Sequence, residues 1–286
     1  MSISSILSCQ WAGKQRASGF LFETAPRESK QSISLNDTHM ITDWESFEKY
    51  HWCNPNDYDS SILVKIKPHL PDGMKLMVMG PGGILENMEN IIGYDNLCMM
   101  LYDDPELVKE ISYNIGKRLL EYYEPALQCD NVGFICYNDV WGFNTQTLIS
   151  TEHLRQYVFP WVKRIVEMAH RYNKPCILHS CGYFKNIIDD ITDDLKFDAR
   201  HSYEDNIMPV EQAYEEYHNR IAILGGIDVN FLCTKTPEDI FRRCREMLER
   251  TADRGGYALG SGNSIPEYIP YENYMAMVKA AWDASM

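Results

Sequence analysis

Nothing in this 286-residue chain approaches the ~20 consecutive apolar residues of a membrane span; IAILGG, from Ile221, is among its longest apolar runs. Positive charge is scarce: 27 Lys and Arg stand against 41 Asp and Glu, a net charge of −14. A chain this acidic has no cationic field to recruit phosphates, which argues against nucleic acid as a partner. The opening residues, MSISSILSCQWAGKQRASG, lack the basic n-region and long apolar h-region of a secretion signal. Paired cysteine spacing is missing too. The nine cysteines are odd in number and scattered, which fits a reducing cytoplasm better than a disulfide scaffold. No repeat, low-complexity tract or Pro/Gly/Ser linker divides the chain, so one domain over 1–286 is expected, with 1–35 poorly defined. Within that segment, GFLFETAPRESKQSISL (19–35) has the composition of a polar hairpin. What is present is ordinary globular material, 45% hydrophobic and 24% charged. The expectation is a cytoplasmic enzyme.

Periodicity organises the rest. Thr42 followed by Glu45 reads as a capping box for a helix through Tyr50. LMVMG (76–80) reads as a buried strand, followed by a helical region broken at Gly93. Asp104-Pro105 is an N-cap and first-turn pair, and Leu107, Ile111, Ile115, Leu119 and Tyr122 then recur at helical spacing to about Leu127. Beyond residue 130, strands at 132–137, 175–179, 197–201, 221–226 and 256–260 alternate with helices near 151–172, 184–192, 209–218 and 237–254. Such alternation with short connections implies a parallel sheet with helical crossovers. No Gly-rich phosphate fingerprint follows the first strand, so a (β/α)8 TIM barrel is expected over an open doubly wound sheet. Six strands are legible, and one or two more are expected in the N-terminal part.

In a parallel barrel the chemistry gathers at the carboxyl ends of the strands. Those ends here are Asn138-Asp139-Val140-Trp141-Gly142, His179-Ser180-Cys181-Gly182, His201-Ser202-Tyr203-Glu204-Asp205, Gly225-Gly226-Ile227-Asp228 and Gly260-Ser261-Gly262-Asn263-Ser264. His179 and Cys181, two apart on a strand, project to one side and can converge on a zinc ion. The bland reading is a partly buried histidine beside an inert core cysteine. Asp139 is a candidate for proton transfer or substrate binding, against a capping aspartate at a βα turn. For Glu204 three readings stand: metal ligand, general acid, or the start of the next helix. Asp228 shares that ambiguity. Trp141 is placed to stack on a planar ligand, although an indole at a barrel rim is more often packing. Asn138, Tyr203, Ser261 and Asn263 complete the expected substrate-binding set at the mouth.

Together these segments resemble the uroporphyrinogen decarboxylase superfamily, and within it the cobalamin-dependent methyltransferases of the methylcobalamin:coenzyme M type. The resemblance runs from about residue 42 to 280 and is carried by TDWESFEKYHW, GPGGILENMENIIGYDNLCMMLYDDPELV, NDVWG, ISTEHLRQYVFPWVKRI, ILHSCG, GGID and GSGNSIPEYIPYENYMAMV, in that order. It implies a (β/α)8 barrel, shorter at the N-terminus than is usual in the family. It also implies zinc held by His179 and Cys181, and methyl transfer between a corrinoid (methylcobalamin) protein and a small thiol or methylated substrate. The branch's distant zinc cysteine is here Ser261, in Gly260-Ser261-Gly262, so either Glu204, placed like an acidic residue that can approach zinc in the family, completes the site as third ligand, or zinc is held more weakly or not at all. The Met-Arg-Gln-Ala-Gly-Arg-type segment of true uroporphyrinogen decarboxylases is not found. The alternatives are metal-free decarboxylation relying on Asp139, and a non-catalytic degenerate barrel.

Overall fold

The computed structural model describes residues 8–9, 39–55 and 59–285. Its strands are β1 (Ser8–Cys9), β2 (Leu76–Met79), β3 (Val132–Asn138), β4 (Cys176–His179), β5 (Ala199–His201), β6 (Ala222–Leu224) and β7 (Tyr257–Ala258). All pairings are parallel, and the strands lie side by side in chain order. A doubly wound sheet reverses its order at a switch point; this sheet never does, which is the winding of a TIM barrel. The fold is α/β of that type, with seven strands and no pairing of β7 onto β1 among the described residues. One strand sought in the N-terminal part is β1, paired to Met77 and Val78. The hairpin expected over 19–35 lies outside the described residues.

The core forms where strand and helix faces meet. Val78, Ile135, Tyr137, Leu178 and Ile223 are fully buried on the strands. On the Pro105–Gln128 helix the residues at the predicted spacing are buried, and the Asp104 carboxylate accepts from the Leu107 N–H at 3.1 Å, as its sequence signal requires. Three local expectations need correction. The first helix is Trp44–Lys49, capped by Asp43 rather than Thr42, because Asp43 and Ser46 exchange side-chain-to-backbone hydrogen bonds. The stretch 151–171 is helical throughout, but its Leu154–Val158 turn is a wider π-helix. The expected helix over 184–192 is instead a 3₁₀ turn (Lys185–Ile187) and a π turn (Asp190–Asp194). Arg155 and Arg220 hold the carboxylates of that acidic stretch. Among the described residues no helix is long and apolar enough to cross a membrane.

Candidate active site

Strand register sets out the first row of the site. Asn138 on β3, His179 on β4 and His201 on β5 are direct neighbours across the sheet. The two histidine rings meet edge to edge, their planes 24° apart and their centroids 4.9 Å apart, and their Nδ1 atoms lie 2.7 Å from each other. The second nitrogen of His201 meets the Ser261 carbonyl at 3.0 Å. The second nitrogen of His179 faces the Cys181 sulfur at 3.9 Å. Two donors converge on that sulfur: the Ser202 hydroxyl at 3.4 Å and the Asn263 amide at 3.2 Å, the latter reaching over from the loop after β7. Glu204 stands alongside, its carboxylate accepting from the Gly182 N–H at 3.2 Å. Glu204 does not start the next helix, which runs from Val210 to Tyr217 with Pro209 before it.

Electrostatics follow from burial. Burial, then His201, then Arg200, push His179 down to about 3. His201 is lowered as well, chiefly by burial. Burial raises the Cys181 thiol, opposed by the donors from Ser202 and Asn263 and by the charge of Arg200. Arg200 lies fully buried beneath the site, donating to the Ser202 carbonyl at 2.7 Å and the Ser180 carbonyl at 2.8 Å. Its guanidinium lies over both the Phe184 and the Tyr203 rings, 3.7 and 4.7 Å from their centroids, and its Nε atom has no hydrogen-bond partner. Sequence reasoning assigned no role to His201, Ser202 or Arg200. The available signal was an arginine and a histidine adjacent on a short buried strand.

The other expected residues divide. Asn263, Tyr203, Glu204 and Asp228 line a cavity of about 980 Å³ together with Phe231 and Lys235. Asp228 also caps the Val229–Thr234 helix and accepts from the Asp205 N–H at 3.0 Å. Ser261 does not turn its hydroxyl to the sulfur; it donates to the Asn263 carbonyl at 2.6 Å. Asn138 donates to Glu86 at 3.2 Å, next to His179. Trp141 is a correction: it is buried, donates to Asp139 at 2.8 Å and packs on Phe159, so neither ring face is open to a ligand.

Asp139 is likewise sealed. Fully buried, its carboxylate accepts from the N–H groups of Leu85 and Glu86, the Tyr137 hydroxyl and the Trp141 indole, at 2.8 to 3.1 Å. It therefore caps the Ile84–Ile92 helix from a neighbouring strand instead of facing the mouth, contrary to its placement as a catalytic residue there. Burial still raises it to about 6, and burial plus Asp139 raise Glu86 to about 7. Folding thus favours protonated Glu86, and that stability, full below pH 4.5, is lost as pH rises through about 7. Glu86→Gln is accordingly expected to raise stability at pH 8 by about 1–3 kcal/mol, and by far less at pH 4.5. Urea midpoints at the two pH values check this; an equal gain at both would refute the cause.

The His179–Cys181 pair fits zinc at two corners. Tetrahedral bonds of about 2.0 Å to nitrogen and 2.3 Å to sulfur put the two donors about 3.5 Å apart, close to the 3.9 Å observed. Among the described residues no set of three His, Cys, Asp or Glu side chains is arranged to hold a metal ion. The third corner is not built as the side chains stand.

Residues 38–283 match the uroporphyrinogen decarboxylase (URO-D) family, most of the chain and all of the site. The chain belongs to that family. Over 137 residues it is 30% identical to a methylated-thiol–coenzyme M methyltransferase of Methanosarcina mazei, covering 48% of this chain and 34% of that protein. Over 194 residues it is 23% identical to a uroporphyrinogen decarboxylase of Methylococcus capsulatus, covering 66% of this chain and 51% of that protein. The alignments thus span about half or less of these relatives' lengths. A solved methyltransferase structure from M. mazei superposes with TM-score 0.64 at 16% identity, over 88% of this chain and 70% of that one, and confirms the family barrel.

Proposed function

We propose that this member of the uroporphyrinogen decarboxylase family is a methyltransferase, moving a methyl group between a corrinoid carried by a partner protein and a small thiol or methylated substrate. The carrying observation is the pair His179 Nε2 and Cys181 Sγ, 3.9 Å apart at the carboxyl ends of the strands, beside a cavity of about 980 Å³. The methyltransferase relative, at the higher identity of the two, supports the reading.

Zinc, held by His179 and Cys181 with Glu204 as a third ligand, would supply Lewis acidity that stabilises a substrate thiolate. Glu204 joins such a site only by turning from the Gly182 N–H. The chain's own groups shape the rest. Ser202 and Asn263 hold the Cys181 sulfur by donating to it, which orients its remaining lone pairs. Tyr203 forms a buried wall, and Phe231 and Asp228 line the cavity beside it, giving a substrate one apolar and one polar side. Among the lining residues Lys235 is the one cation, beside Glu204, Asp205 and Asp228. A multiply carboxylated porphyrinogen needs several Arg or Lys partners, so the decarboxylase alternative has little support here.

The test is metal analysis combined with turnover. Purified protein should hold near-stoichiometric zinc and should consume methylcobalamin when a thiol is added. Cys181→Ala and His179→Ala should each lose the zinc while keeping the far-ultraviolet circular dichroism of the parent. Unchanged zinc content in both variants would remove the metal site, and absence of demethylation with any thiol would remove the activity.

A further inference from the structure

The contacts at the carboxyl ends of β4 and β5 define more than a ligand pair. They form a chain of four groups: the Ser261 carbonyl, His201, His179 and Cys181, linked at 3.0, 2.7 and 3.9 Å. We propose that His201 is a positioning residue, which together with the Ser261 carbonyl locks His179 in the tautomer whose Nε2 lone pair faces the Cys181 sulfur. This rests on His179 and Cys181 being the working pair of the proposed function.

The assignment follows from what each atom can do. A carbonyl oxygen only accepts, so the nitrogen of His201 that meets Ser261 carries the hydrogen. A neutral imidazole has one N–H, which makes Nδ1 of His201 an acceptor. Two nitrogens 2.7 Å apart require one hydrogen between them, and it must then come from Nδ1 of His179. Nε2 of His179 is left bare and aimed at Cys181. A cationic ring at either position would add a second buried positive charge beside Arg200, which is itself fully buried. The near-coplanar, edge-to-edge geometry fixes ring orientation as well, since the two ring planes lie 24° apart.

The consequence is local preorganisation. The sulfur already accepts from Ser202 and Asn263, so two electron-rich atoms meet at 3.9 Å. Only a thiol proton or a cation sits comfortably between them. Metal-binding histidines ordinarily hand their second N–H to a carboxylate or a carbonyl, and such partners matter about 10- to 100-fold in metal affinity. Here a second histidine stands in that place and passes the hydrogen-bond chain on to a backbone carbonyl.

The experiment reads the tautomer directly. The chain has eight histidines, so long-range nitrogen–proton correlation spectra of the metal-free protein, with ¹⁵N-labelled histidine, are tractable. Loss of one signal set in His179→Gln and in His201→Phe assigns the two rings. The expected result is His179 protonated on Nδ1 and His201 on Nε2. In His201→Phe, which keeps an aromatic ring and removes both nitrogens, His179 should revert to the Nε2–H form that free imidazole favours. Zinc affinity by chelator competition should fall about 10- to 100-fold in the same variant. His179 protonated on Nε2 in the parent protein would overturn the inference, as would an unchanged tautomer in folded His201→Phe. Should the parent hold no zinc, the metal part of the proposed function fails, while the tautomer measurement still decides the role of His201.

Discussion

Asp139→Ala is expected to leave a chain that does not fold stably at ambient temperature. The carboxylate takes four hydrogen bonds inside the protein, from Leu85, Glu86, Tyr137 and Trp141. Removing it strands four donors at a fully buried point. Each unsatisfied buried donor costs about 1–3 kcal/mol, so the loss of about 4–12 kcal/mol compares with the whole stability of a domain, about 5–15 kcal/mol. The Ile84–Ile92 helix would also lose its anchor to β3. Asp139→Asn retains one acceptor oxygen and nearly the same volume, and should fall between the parent and the alanine variant. Urea midpoints measure both. An Asp139→Ala protein within about 1 kcal/mol of the parent would show that the capping account is wrong and return Asp139 to the list of candidate catalytic groups.

The second large effect is expected at Gly182, the glycine that follows Cys181. Its φ of +79° lies in the left-handed region, which costs other residues about 1–2 kcal/mol. Space forbids a side chain as well: a Cβ there would lie 2.1 Å from the Gly142 carbonyl oxygen, a backbone atom that cannot rotate away. Gly182→Val should therefore push the loop off Gly142 and carry Cys181 out of reach of His179. The Gly182 N–H would also leave the Glu204 carboxylate. The expectation is a fall in the thermal midpoint, from strain and overpacking of about 2–5 kcal/mol, and, for the metal proposed at His179 and Cys181, loss of retention even in the folded fraction. Gly182→Ala should do the same less severely. Cobalt(II) substitution provides the reading, because thiolate-to-cobalt absorption reports the Cys181 bond. Parent-like absorption in Gly182→Val would show that the close approach to Gly142 does not position the cysteine.

Much of this architecture is legible in the sequence because the signals are local. Strands such as LMVM and CILH are short, mostly apolar runs bounded by turn residues, and each lies within one or two residues of its expected place. Asp104 before Pro105 announces a helix start with its own side chain. The pairing of His179 with Cys181 is legible for the same reason, since residues two apart on a strand share a face. What stayed hidden depends on partners distant in the chain. The burial of Trp141 follows from Phe159, and the capping task of Asp139 from a helix 53 residues earlier. His201 acquires meaning only from the register that sets it beside His179. The N-cap at Asp43 rather than Thr42 reflects one residue of ambiguity where two capping residue types adjoin.

The in-order pairing of the strands bears on how the chain finds this shape. Each strand uses its predecessor as template, so the sheet can lengthen one edge at a time while synthesis proceeds and no strand waits for a later one to be inserted between neighbours. The contacts that build the site are among the shortest of these closures: His179 and His201 are only 22 residues apart. Joining Ser8 to Met77 closes a loop roughly three times as long, at about 1 kcal/mol more in chain entropy. When the complete chain refolds, the β4–β5 ladder is therefore suited to act as an early nucleus, with the two histidines in register before β1 docks on β2. A destabilising change in β5 should slow refolding, whereas one in β1 should mainly hasten unfolding.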